Sequence, residues 1–200
     1  MAILTGSEKV WSRTGRPGRV GAGGAIRSIF WMMICCCAVQ SAVFQGRDQA
    51  FREYDVKAVF LYNFTQFVGW PPTAFADDSA PIVIGVLGAD PFGKSLEETV
   101  RNEVIRNRRL IVQRYARVEE IKTCHILFIS QSETGRLDQI LPQLKVRSIL
   151  TVGEGEGFTQ RGGMIGFVTE KNKVRLRINL AAAKEGNLII SSKLLRVAEI

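Results

Sequence analysis

PIVIGVLGADPFGKS, Pro81–Ser95, is an apolar run that breaks into a Gly-, Asp- and Pro-containing turn and then a polar segment. Its apolar half predicts a strand buried on both faces, the kind found inside a parallel sheet. Its second half, GADPFGKS, fits the phosphate-loop pattern G-x-x-x-x-G-K-[ST] letter for letter. The inner residues argue against a nucleotide loop. Pro91 removes a backbone N–H where phosphate would need one, Asp90 adds negative charge, and Phe92 is bulky where the backbone must wrap closely around a ligand. Such a loop also needs a second strand ending in an Asp for magnesium, whereas CHILFIS, Cys124–Ser130, ends in Ser130. The expectation is a strand-to-helix corner: Asp90 caps a helix opened by Pro91, Phe92 tucks under the sheet, and Lys94 and Ser95 complete the pattern by coincidence.

Upstream, YDVKAVFLYNFTQFVGW, Tyr54–Trp70, spaces Val56, Val59, Phe60, Asn63, Phe64 and Phe67 three or four apart, which predicts a helix with an aromatic core stripe, ended by Pro71 and Pro72. Downstream, a helix is expected over 94–103, a strand over 110–115, the strand CHILFIS, a helix over 137–144 and a short strand over 148–152. GEGEG, Gly153–Gly157, has glycines at every second residue with Glu between them and is expected to be a surface turn. A hairpin joins 164–169 to 173–180, and a closing helix, capped by Ser191 or Ser192, follows. Strands alternating with helices, then a late hairpin, predict a three-layer single α/β domain: a mixed β-sheet flanked by helices, with a C-terminal β-hairpin and closing helix.

With 200 residues, 46% hydrophobic and 23% charged, the chain is too apolar to be disordered and too short for two full domains. The net charge of +8 is unevenly placed. Lys9, Arg13, Arg16, Arg19 and Arg27 precede an apolar run, IFWMMICCCAV, and the remainder is only mildly basic, so no nucleic-acid partner is expected. That lead reads as a secretory signal peptide over residues 1–41, removed after Ser41, followed by a short segment over 42–52 and the α/β domain over 53–200. The apolar run is too short to span a bilayer as a helix. Removal of Cys35, Cys36 and Cys37 leaves Cys124 as the one thiol of the mature chain in an oxidising compartment.

Cys124 and His125 are adjacent, so on a strand they face opposite ways and form no nucleophilic dyad. One His and one Cys complete no zinc site, no G-x-S-x-G elbow is present, and neither catalytic residues, metal nor cofactor is expected. Directional polarity occurs in KVRLRINL. Val174, Leu176, Ile178 and Leu180 take one face, while Lys173, Arg175, Arg177 and Asn179 take the other, a candidate cationic platform for an anionic ligand or partner.

KAVFLYNFTQFVGWP, VLGADPFG, CHILFIS, LTVGEGEGF, GGMIGF, INLAAA and SSKLL, in that order over 54–198, closely resemble the YfiR-like family, also catalogued as DUF4154. The resemblance implies a secreted α/β protein that catalyses nothing and represses an inner-membrane diguanylate cyclase through its periplasmic sensor region, with effects on biofilm. A homodimer is expected. The alternative is a small-ligand sensing module coupled to a histidine kinase or transport system. Asn63, Trp70, Asp90, Pro91, Phe92, Gly93, Cys124, His125 and Gly163 are expected to hold the fold. The resemblance also implies a disulfide between the Cys of the CHILFIS motif and one at the position of Gly85. Here that partner is glycine, so Cys124 is left without it.

Overall fold

A computed structural model of the chain describes residues 53–155, 157–171 and 173–198. The expected signal peptide and the 42–52 segment lie outside them. Helix α1 covers residues 53–67 and runs directly into a two-residue strand, β1 (Val68–Gly69). Strand β2 (Ile82–Leu87) is IVIGVL, and all six residues are buried. It is central because parallel neighbours flank it: β4 (Arg108–Tyr115) on one side and β5 (Ile126–Ile129) on the other.

The sheet has seven strands among the described residues, in the order β3-β4-β2-β5-β6-β7-β8. The remaining members are β3 (Val104–Ile105), β6 (Leu150–Glu154), β7 (Ile165–Glu170) and β8 (Lys173–Ile178). The pairs from β4 through β7 are parallel, while β3–β4 and β7–β8 are antiparallel hairpins, so the sheet is mixed as expected. Alternating side chains divide the core. Ile82, Ile84, Val86, Ile126 and Phe128 pack with Leu61 and Phe64 of α1 and Leu96 of α2 (Ser95–Val100). Leu87, Leu127 and Ile129 face Leu137, Ile140, Leu141 and Leu144 of α3 (Leu137–Leu144). Among the described residues, no helix is long and apolar enough to cross a membrane.

Several local expectations are corrected. The helix expected over 94–103 ends at Val100, because Asn102 takes a left-handed φ of 62° and the chain turns into the β3–β4 hairpin through Arg106 and Asn107 at φ 51° and 65°. The inward face of α1 is Lys57, Ala58, Leu61, Phe64 and Thr65, so Val56 and Val59 are 46% and 48% exposed rather than core. Asn179 and Leu180 leave the strand: Leu180 opens α4 (Leu180–Glu185), and the Asn179 side chain caps it by accepting from the Ala182 N–H at 3.0 Å. The closing helix is a single turn, α5 (Ser192–Leu195), with Ser191 as its cap. Just before it, β9 (Ile189–Ile190) pairs antiparallel with β1 and ties the C-terminal segment to the end of α1.

The spacing of LTVGEGEGF and GGMIGF has a steric cause. The Phe158 ring is 2% exposed and lies against Gly153 and Gly163, where an added Cβ would come within 2.3 Å and 2.1 Å of ring atoms. Two glycines form the slot, so the loop after β6 folds back on the sheet without a helix.

Candidate functional site

The corner GADPFGKS is built from the end of β2 and closed from inside the protein. The Gly88 N–H donates to the Tyr115 carbonyl at 3.0 Å, and the Ala89 N–H donates to the Ser132 hydroxyl at 3.0 Å. The Phe92 N–H donates to Asp90 Oδ1 at 2.8 Å, and the Ser95 N–H to the Phe92 carbonyl at 3.1 Å. Asp90 therefore closes a turn around Pro91 rather than capping α2, which begins only at Ser95. Arg114 fastens the turn from β4: its guanidinium reaches the Asp90 carboxylate at 2.7 Å, the Gly93 carbonyl at 2.9 Å and Glu97. Ser95 donates its hydroxyl to Asp55 of α1 at 2.5 Å. Phe92 is 2% exposed and sits edge-on against Phe128 at 4.8 Å and Tyr54 at 5.5 Å. Four amides of the corner, those of Gly88, Ala89, Phe92 and Ser95, are thus engaged within the protein, and the space beneath them is filled by an aromatic ring.

A second polar cluster joins α1 to the carboxyl end of β6. The Lys57 ammonium and the Glu154 carboxylate, with side chains 3% and 6% exposed, form an ion pair. The Tyr54 hydroxyl donates to Glu154 at 3.0 Å, Lys57 also meets Glu53 at 2.7 Å, and the Thr169 hydroxyl donates to Glu53 at 2.8 Å. Burial, the Glu154 charge and the hydrogen bond to it push the Tyr54 pKa up, so the phenol keeps its proton and donates it to the Glu154 carboxylate. Burial would raise the Glu53 pKa, but the bonds from Lys57 and Thr169 outweigh it and hold it low. Of GEGEG, expected as a surface turn, Gly153 and Glu154 instead end β6, and the Glu154 side chain is only 6% exposed. The signal was present in α1, where Lys57 falls on the same helical stripe as Leu61 and Phe64 and so needs a buried carboxylate.

Cys124 and His125 point into different environments. The thiol packs among the residues facing α3 and donates to the Ile126 carbonyl at 3.1 Å, and burial pushes its pKa up to about 12. A Cβ placed on Gly85 would stand 2.8 Å from the Cys124 sulfur, so the fold keeps the site at which the resemblance implies a disulfide partner. His125 is 1% exposed; its Nδ1 accepts from the Val83 N–H at 3.0 Å, so Nε2 carries the proton and donates to the Ala74 carbonyl at 3.1 Å. Phe75 stacks on the ring at 4.4 Å, and Trp70 donates to the His125 carbonyl at 3.1 Å.

The imidazole couples stability to pH. Burial lowers the His125 pKa; the Ala74 hydrogen bond opposes this, the Arg108 charge adds to it, and the net direction is down from 6.5. The neutral ring's contribution is therefore complete above pH 6.5 and lost as the pH falls below it, by up to about 1.4 kcal/mol per pH unit. Urea unfolding of the domain should show this decline as the pH falls below about 6.5. His125→Gln should abolish it, since the chain has a single histidine; a decline that persists in the variant refutes the assignment.

On β8, Lys173 and Arg175 are exposed, and Arg177, half exposed, leans toward Glu170 at 3.5 Å. Asn179 does not share their face. Its amide nitrogen donates to the Thr159 carbonyl at 2.9 Å while its oxygen caps α4, so three cations rather than four groups make the platform. Of the remaining motif residues, Gly93 holds a φ of 56° in the turn after Phe92, and Asn63 is half buried on α1. Among the described residues, no group of three His, Cys, Asp or Glu side chains stands close enough to hold a metal.

A family model described as YfiR/HmsC-like, DUF4154, matches residues 54–199. No curated protein matches the chain.

Proposed function

The chain belongs to the YfiR/HmsC-like family, and from that membership we propose that it is a periplasmic regulatory binding protein that represses an inner-membrane diguanylate cyclase through the cyclase's periplasmic sensor region. The family's type is a periplasmic regulator of a diguanylate cyclase. Repression by this chain lowers cytoplasmic cyclic-di-GMP, and its signal is carried by partner release or a small anionic ligand, because Cys124 faces Gly85. It acts by binding and not by catalysis, as a homodimer.

The observation that carries the reading is the family match over the whole α/β domain. The corner geometry supports it, since Ser132 and Asp90 accept from the Ala89 and Phe92 amides and the buried Phe92 ring fills the space beneath the turn. The test is deletion of the gene with cyclic-di-GMP and biofilm as readouts. Both should rise and return on complementation. Unchanged cyclic-di-GMP across growth conditions overturns the proposal and leaves the ligand-sensing module for a kinase or transport system.

A further inference from the structure

The two edges of the sheet are unlike. At one, β3 is only two residues long and is bent into a tight hairpin, which blunts it. At the other, β8 offers six residues and is the outermost strand of the sheet among the described residues. Its ladder to β7 pairs Lys173 with Glu170, Arg175 with Val168 and Arg177 with Gly166, and the next N–H in phase, that of Asn179, donates to the Met164 carbonyl at 2.8 Å. Because backbone groups alternate in an antiparallel pair, the odd-numbered residues bond β7 and the N–H and C=O groups of Val174, Leu176 and Ile178 point to the open edge. Side chains follow the other alternation: Leu176 and Ile178 enter the core, and Lys173 and Arg175 stand exposed. Beyond the strand, an open cleft between Thr159, Gln160 and the segment Arg177–Ala181 continues that edge.

A second copy of the chain does not fit there. Two-fold antiparallel pairing of β8 with itself sets cationic residues opposite cationic ones, Arg175 on Arg175 or Lys173 on Arg177; a shift by one residue sets charges against the apolar face instead. An acidic strand fits, since carboxylates at every second position meet Lys173 and Arg175 while its amides meet the open backbone groups.

We propose that β8 is a strand-addition site that receives an extended segment of a partner protein with acidic residues at alternate positions. The inference rests on the repressor reading and adds the mode of contact: the segment belongs to the periplasmic region of the membrane partner.

Calorimetry on the mature protein tests this with a capped nonapeptide alternating threonine and glutamate. The peptide should bind, with binding lost in the lysine-for-glutamate analogue. Arg175→Glu should weaken it about tenfold, as should N-methylation of every second amide in one of its two phases. No binding at about 1 mM peptide overturns the proposal. Equal binding of both N-methylated phases and the parent reduces the contact to charge attraction and overturns it too. In cells, Lys173→Glu with Arg175→Glu, at wild-type protein level, should raise cyclic-di-GMP as deletion does. If deletion raises it and the double variant does not, strand addition fails and repression stands; if deletion has no effect, repression itself fails.

Discussion

Lys57→Met lowers the stability of the domain by about 3–5 kcal/mol, because it leaves the Glu154 carboxylate buried without its cation. That is a large part of the roughly 5–15 kcal/mol that holds an ordinary domain together. The melting temperature should fall by roughly 10 °C for a chain of this size. The cost arises from the stranded charge and not from lost packing, since methionine keeps the length of the lysine stem. Adding Glu154→Gln should therefore restore most of the loss: the amide oxygen still accepts from the Tyr54 hydroxyl and no charge remains to desolvate. Urea unfolding of the two single variants and the double variant forms a cycle, and the expected signature is a double variant more stable than Lys57→Met. If the double variant is less stable than either single one, Lys57 acts through packing alone.

Phe92→Ala carries the second large effect, about 3–5 kcal/mol, because it empties a site 2% exposed and removes edge contacts to Phe128 and Tyr54. Its neighbour gives the contrast. Lys94 is exposed, so Lys94→Ala should move stability by no more than about 0.5 kcal/mol. A phosphate loop would invert this order of importance, with the lysine decisive for binding and the fourth variable residue free to change. Denaturation of both variants, with magnesium-ATP titrated into the wild type, separates the two accounts. A tight ATP complex that disappears in Lys94→Ala refutes the structural corner, as does a Phe92→Ala cost below about 1 kcal/mol.

The strands were legible wherever burial on both faces wrote itself into composition. IVIGVL and ILFI are apolar throughout because parallel neighbours and helices cover them on every side. The hairpin of β7 and β8 was legible from alternation, and the resemblance of the ordered motifs carried the family. What escaped were features fixed by tertiary partners. Spacing of three and four allows more than one stripe on α1, and it cannot tell that Lys57 turns inward while Val56 turns outward; Glu154, 97 residues away, decides that. The two-residue pair β1–β9 has no periodicity to read, since two residues show no period. Asn179 followed the alternation of the preceding strand, but LAAAKE favours a helix and recruited it as the cap. At the candidate site the charges of β8 were legible, and their place at the long open edge of the sheet was not, because strand order is a property of the whole fold.

The buried thiol has a kinetic meaning. With its pKa pushed up to about 12, Cys124 at about pH 7 is thiolate in only some 10⁻⁵ of molecules, against a few per cent for a free cysteine. Oxidants and alkylating agents react with the thiolate, so burial that disfavours the thiolate slows their attack on this sulfur. Burial thereby makes Cys124 a poor reporter of the redox state around the fold.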